Sequence, residues 1–150
     1  MRAVIQRVNQ AEVHVEGGKV AAIQKGLLVL LGITHTDTQE DIDWLVRKIL
    51  HMRIFSDNNA NLNKSILDVD GELLLVSQFT LFASTKKGNR PSFVDSAKPD
   101  YAKELYEICI DTMQQRLGKK IGTGIFGADM KVSLENDGPV TICIDTKNKE

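Results

Sequence analysis

Cysteine and proline are scarce in this chain: two cysteines, three prolines and a single tryptophan among 150 residues. Cys109 and Cys143 lie far apart, with no second Cys or His at metal-ligand spacing, so neither a disulfide framework nor a structural zinc site is expected. Each precedes an isoleucine in a mainly apolar stretch, which predicts reduced thiols packed as small hydrophobes. Long apolar runs are also missing. The longest, Leu27–Leu31, is strand-sized, whereas a bilayer span takes about 20 residues, so no membrane is expected. Met1-Arg2 leads directly into an alternating segment rather than an apolar block with a small-residue cleavage site, so the expected compartment is the cytoplasm. Charge of one sign is absent too: 19 basic against 20 acidic side chains give a net charge of −1. A nucleic-acid partner must therefore meet a local patch. With 42% hydrophobic and 26% charged residues, collagen-like and disordered compositions are excluded, and one domain over residues 1–150 is expected.

What is present divides into strands and two helices. Met1–Val8, Ala11–Glu16 and Lys19–Ile23 alternate as strands, the last two joined by a hairpin at Gly17-Gly18. Gly26–Ile33 is apolar enough for a strand buried on both faces at the sheet centre. Ile42, Leu45, Val46, Ile49 and Leu50 recur on one helical face, capped by Asp37 or Thr38. A short strand is expected over Arg53–Ser56, a loop over 57–64 and a long strand over Glu72–Leu81, followed by a polar, Gly/Pro-marked loop from Phe82 to Lys98. A second amphipathic helix carries Ala102, Leu105, Tyr106, Cys109, Ile110, Met113 and Leu117 and stops at Gly118. Met130–Leu134 and Val140–Asp145 alternate like two antiparallel strands turning through Glu135–Pro139, and 146–150 reads as a frayed tail.

Several motifs compete for a chemical role. Gly122-Thr123-Gly124-Ile125-Phe126-Gly127 spells a dinucleotide fingerprint, but a helix precedes it and a strand follows, the reverse of what pyrophosphate binding requires. Its glycines suit a loop of close backbone approach, with Phe126 either a wall for a base or a core aromatic. Ser77 and Ser92 lack a nucleophile elbow, and His14, His35 and His51 are each explained structurally, so a serine triad is not expected. Glu72 and Asp137 read as solvated carboxylates rather than an acid/base pair. In Ser77-Gln78-Phe79-Thr80-Leu81, polar side chains interrupt an apolar strand, which leaves a pocket floor and a water-facing strand side both open.

Met1–Val8, Ser77–Leu81, Asn89–Phe93 and Gly138-Pro139-Val140-Thr141 together resemble the bacterial-type D-aminoacyl-tRNA deacylases, also called D-tyrosyl-tRNA deacylases, over essentially the whole chain. The resemblance implies an α+β fold in which an antiparallel-rich, barrel-like sheet packs with two amphipathic helices. It implies a cytoplasmic homodimer, without metal or organic cofactor, that hydrolyses the ester between a D-amino acid and the terminal adenosine of tRNA. Glycine on alanine tRNA is an expected second substrate, and L-aminoacyl esters are spared. By the same likeness Ser77, Gln78, Phe79 and Thr80 form the catalytic site, with Phe126 and Met130 on its far wall. Gly138-Pro139 is expected to be cis and to enter the partner subunit's pocket, where it leaves no room for an L side chain. Backbone N–H groups around Gln78 and Phe79 then hold the oxyanion, and either the terminal 2′-hydroxyl activates water or Thr80 acts as nucleophile. The densest basic clusters, Lys86, Lys87 and Arg90 in the long loop and Arg116, Lys119 and Lys120 after the second helix, are candidates for tRNA phosphates, the loop cluster for the acceptor end. A noncatalytic RNA- or nucleotide-binding dimer is the alternative of another class.

Overall fold

Residues 1–60 and 62–149 are described by a computed structural model. Asn61 in the expected 57–64 loop and Glu150 in the expected tail lie outside the described residues. Alternation from Met1 onward produces β1 (Arg2–Val15) as one continuous strand rather than the two expected. It is the spine of the sheet, pairing antiparallel with β2 (Gly18–Ile23), β3 (Gly26–Gly32) and β6 (Lys131–Asp145). The β1–β2 turn falls on Glu16 and Gly17, at φ 51° and 77°, one residue earlier than expected; a two-residue primed turn needs positive φ at both central positions. β3 continues in parallel to β4 (Glu72–Ser77), and β4 pairs in parallel with the two-residue β5 (Gly122–Thr123). The result is a mixed, nearly closed sheet in the order β2-β1-β3-β4-β5, with β6 on the other edge of β1 and β2 packed back toward β4 and β5.

Three further expectations are corrected. The strand expected over Arg53–Ser56 reduces to one bridge between Phe55 and Lys64. The strand expected over Glu72–Leu81 stops at Ser77, because Gln78 leaves the extended region and a 3₁₀ turn, Phe79–Phe82, follows. The turn expected over Glu135–Pro139 is not a turn, because β6 pairs with β1 on both sides of it. The register jumps from Gln6↔Thr141 to Val8↔Asn136, and the Asn136 side chain accepts the Val140 N–H at 2.9 Å. Pro139, which has no N–H to give, sits in the bulge that this jump creates.

Helix α1 (Gln39–His51) starts where Thr38 donates its N–H to the Asp41 carboxylate at 2.9 Å, the reciprocal half of a capping box. Asp37, the other expected cap, is fully buried and instead receives the Met1 ammonium at 2.6 Å. Helix α2 (Pro99–Leu117) begins with proline at its first turn and ends at Gly118 in the left-handed region, φ 80°, as expected. Both helices cover one sheet face: Ile42, Leu45, Val46 and Ile49 of α1 and Leu105, Cys109 and Met113 of α2 meet Ala3, Ile5, Leu27, Val29, Leu31 and Leu75. The opposite face holds Val8, Val13, Ile23, Leu28, Leu74 and Val76, so β3 and β4 are buried on both sides. Among the described residues no helix is long and apolar enough to cross a membrane. Cys109 is buried and free; Cys143 is free but exposed, against expectation, because it sits on the outward face of β6.

Candidate active site

The parallel pair β3–β4 ends at a cavity of about 640 Å³. Its floor is Leu31, Val76, Ser77 and Gln78; Phe79 and Phe93 stand on one side, and Phe126 and Met130 on the other. Thus the structure gathers Ser77, Gln78, Phe79, Phe126 and Met130 from two distant stretches of sequence into one cavity. The polar residues that break the apolar strand form a pocket floor, one of the two readings left open.

The 3₁₀ turn is seated on β3 by two features. Gln78 donates its N–H to the Leu31 carbonyl at 2.7 Å. Gly32 lies beneath it, where a Cβ would come 3.0 Å from Leu81 Cβ and 3.1 Å from the Gln78 carbonyl. Within the turn, Leu81 N–H reaches the Gln78 carbonyl at 3.3 Å, while the leading N–H groups of Phe79 and Thr80 have no carbonyl ahead of them to bond. Thr80 is exposed and lies beside rather than on the cavity lining; its hydroxyl accepts a hydrogen bond from Gln78 Nε2. None of the three histidines is paired with it: His35 contacts the Val94 carbonyl at 2.9 Å, His14 faces Glu12, and His51 lies in a different groove.

Phe79 is 57% exposed and meets Phe93 edge-on, with ring centroids 5.0 Å apart, an aromatic pair left open to solvent at the mouth. On the far wall Phe126 leans on Tyr106, whose hydroxyl donates to the Leu75 carbonyl at 2.8 Å; burial pushes that phenol well above its usual range. Gly124 permits the wall to close, since a Cβ there would stand 2.5 Å from Met130 Sδ. Phe93, in the Asn89–Phe93 segment, was legible only as part of that motif and not as a pocket residue.

Gly138 and Pro139 do not line this cavity. The peptide between them is cis, and both are exposed. In the sheet they stand level with Arg7, which pairs with Leu27, whereas Ser77 pairs with Leu31; four residues of strand separate the levels, about 13 Å. Arg7 holds the bulge. It is 8% exposed and donates from Nε to the Asp137 carbonyl at 3.0 Å and from a terminal nitrogen to the Ile54 carbonyl at 2.7 Å, with the Asp137 carboxylate 3.1 Å away. Asp137 is therefore an ion-pair partner and not a merely solvated carboxylate. Sequence reasoning passed over Arg7, although a charge at the inward parity of Ala3 and Ile5 was the available signal.

Lys86, Lys87 and Arg90 are exposed on a loop closed at its base by paired backbone bonds between Ser84 and Ser92, 2.8 and 2.9 Å. They lie outside the cavity, on the stretch of chain between Phe79 and Phe93, which line it. The second basic cluster is largely consumed internally: Arg116 binds Asp43 at 2.5 Å and Lys119 binds Asp70 at 2.9 Å. Among the described residues no group of three or more His, Cys, Asp or Glu is arranged to hold a metal ion.

Residues 4–145 match the family model of the D-Tyr-tRNA(Tyr) deacylases. The chain is 64% identical over 150 residues to the D-aminoacyl-tRNA deacylase of Flavobacterium johnsoniae and 59% identical to that of Bacteroides fragilis, each comparison covering both chains completely. Among solved structures it superposes on a c-Myc DNA unwinding element binding protein with a TM-score of 0.90 at 42% identity, covering 97% of this chain and 98% of the other. A chain described as a probable eukaryotic D-amino acid tRNA deacylase shares the fold, with a TM-score of 0.85 at 18% identity over 95% and 97% of the two chains. The cavity and its motifs thus fall within a full-length match, and the chain belongs to the D-Tyr-tRNA(Tyr) deacylase family.

Proposed function

We propose that the protein hydrolyses the ester joining a D-amino acid to the terminal adenosine of tRNA, releasing both. The observation that carries this reading is the cavity lined by Ser77, Gln78 and Phe79 at the start of a 3₁₀ turn whose first two N–H groups have no backbone partner within the turn. Ester hydrolysis builds negative charge on the carbonyl oxygen, and fixed backbone donors stabilise that charge without reorganising. Gln78 N–H is engaged by Leu31, so the oxyanion role passes to the N–H groups of Phe79 and Thr80. The terminal base stacks against the open Phe79–Phe93 pair, and Phe126 and Met130 bound the aminoacyl side.

Water is activated by the 2′-hydroxyl of the terminal ribose. Thr80 is the weaker nucleophile, because its oxygen already accepts a hydrogen bond from Gln78 and none of the three histidines is paired with it to take its proton. Chirality is judged by exclusion. A wall that blocks an L side chain admits many D residues, and it admits glycine. Gly138-Pro139 supplies the wall from a second copy of the chain, since within one chain it stands about 13 Å from the level of Ser77 along the strands and three strands away across the sheet. The working unit is then a homodimer in the cytoplasm, with no cofactor. Lys86, Lys87 and Arg90 meet the phosphates of the acceptor end.

Incubating the protein with one tRNA charged with D- or L-amino acid tests the reading: the D ester is lost and the L ester is kept. Survival of both esters alongside measurable RNA binding favours a binding module instead, a second reading supported by the 42% identity to a chain named for binding a DNA unwinding element.

A further inference from the structure

A second cavity, about 900 Å³, lies across the 3₁₀ turn from the first: Phe79 lines one cavity and Leu81 the other. Its far bank is one face of α1, where Trp44, Arg47, Lys48 and His51 recur at intervals of three and four residues. The apolar face of the same helix, Ile42, Leu45, Val46 and Ile49, is turned to the core, which Trp44 also meets with part of its ring, whereas Arg47 and Lys48 are exposed. The carboxylates close by are already neutralised: Asp145 by Arg2 at 2.9 Å, Asp43 by Arg116 at 2.5 Å and Asp41 by Lys147 at 2.8 Å. Glu40, at the N-terminal end of that helix face, does not line the groove. Arg47 and His51 have no ion-pair partner among the described residues. Lys48 and Lys149 place their ammonium groups over the Trp44 ring, 5.6 and 5.2 Å from its centroid.

We propose that this groove holds the sugar-phosphate backbone of the tRNA whose charged end occupies the active-site cavity. The inference rests on the functional reading above for the identity of its occupant. A chain with net charge −1 has gathered, in one groove separated from the site by a single 3₁₀ turn, cations that have no ion-pair partner among the described residues. That is what a polyanion continuing away from the reacting ester requires. The ring of Trp44 is occupied by ammonium groups, so the groove recognises phosphates and not a stacked base.

Trp44 is the only tryptophan, so its fluorescence reports on this groove alone. Uncharged tRNA is titrated into the protein, and the measurement is repeated at several salt concentrations with an Arg47→Ala/Lys48→Ala double variant; both positions are exposed, which preserves the fold. The expected result is a saturable change in Trp44 emission with the wild type. In the variant, affinity falls about tenfold and the slope of log affinity against log salt is smaller by about 1.4–1.8, since each phosphate contact contributes roughly 0.7–0.9. Arg47→Lys retains the slope. An unchanged slope with silent Trp44 emission overturns the proposal. So does an emission change that follows protein concentration rather than RNA, which gives the groove to a second copy. Because the RNA carries no amino acid, these outcomes are independent of ester hydrolysis: intact D esters alongside normal Trp44 titration would remove the enzymatic reading and leave the groove standing.

Discussion

Placing one methyl group under the 3₁₀ turn tests whether its backbone N–H groups are the proposed oxyanion donors. Alanine at Gly32 would bring Cβ to 3.0 Å from Leu81 Cβ, 3.1 Å from the Gln78 carbonyl and 3.2 Å from Phe82 Cδ2. Carbon–carbon contacts relax toward about 3.5–4.0 Å, so the turn must lift by roughly half an ångström. Gln78 and Leu81 are anchor points of the turn, so the lift carries the Phe79 and Thr80 N–H groups with it. Oxyanion donors work at about 2.7–3.1 Å, and a misplacement of about 1 Å costs up to about 100-fold, so half of that predicts about a tenfold loss in kcat, or about 1.4 kcal/mol. Overpacking costs about 1–3 kcal/mol of stability, visible as a lower Tm. Single-turnover hydrolysis of saturating D-aminoacyl-tRNA reads kcat apart from binding, and circular dichroism reads the fold. A folded Gly32→Ala protein with undiminished kcat would refute the assignment of the oxyanion to this turn.

Thr80→Ala should keep most of its turnover, while a substrate ending in 2′-deoxyadenosine should lose most of it; a trapped acyl-Thr80 would reverse the two roles. Lys86→Ala/Lys87→Ala should weaken tRNA binding and flatten its salt dependence by about 1.4–1.8 log units per log unit of salt, with an unchanged slope counting against the loop. Burial by itself would raise the Asp41 carboxyl, but hydrogen bonds from Lys147, Thr146 and Thr38 outweigh it and bring the pKa from 3.8 down to about 2. A carboxylate depressed on folding stabilises the protein above its unfolded pKa. About 2 kcal/mol should therefore be lost as pH falls from about 4 toward 2, and Asp41→Asn should remove that part of the acid limb of a pH-dependent urea titration.

Much of this architecture was legible because local signals agree with the fold. The apolar faces of α1 and α2, the stop at Gly118 and the doubly buried run from Gly26 are each decided by periodicity or by one conformationally free residue. Gly138-Pro139 misled because Asp-Gly-Pro has the composition of a turn, whereas pairing to β1, more than a hundred residues away, holds it inside a strand as a bulge. The end of β4 was misplaced for a similar reason. Phe79-Thr80-Leu81-Phe82 continues the β-favouring composition, yet the chain turns here and packs closely on Gly32, a contact between residues far apart in sequence. At the site, the motif residues on the pocket floor could be read from sequence, but Arg7 and the basic face of α1 could not. The first needs the strand's inward parity, and the second needs knowledge of which carboxylates are already paired.

The claim at the centre of the account is that one hand is excluded, not that the other is recognised. Rates for one tRNA charged in turn with a D-amino acid, glycine and the matching L-amino acid test it most directly. Steric exclusion predicts that the D and glycyl esters are both cleaved and the L ester survives; a glycyl ester as stable as the L ester would contradict it.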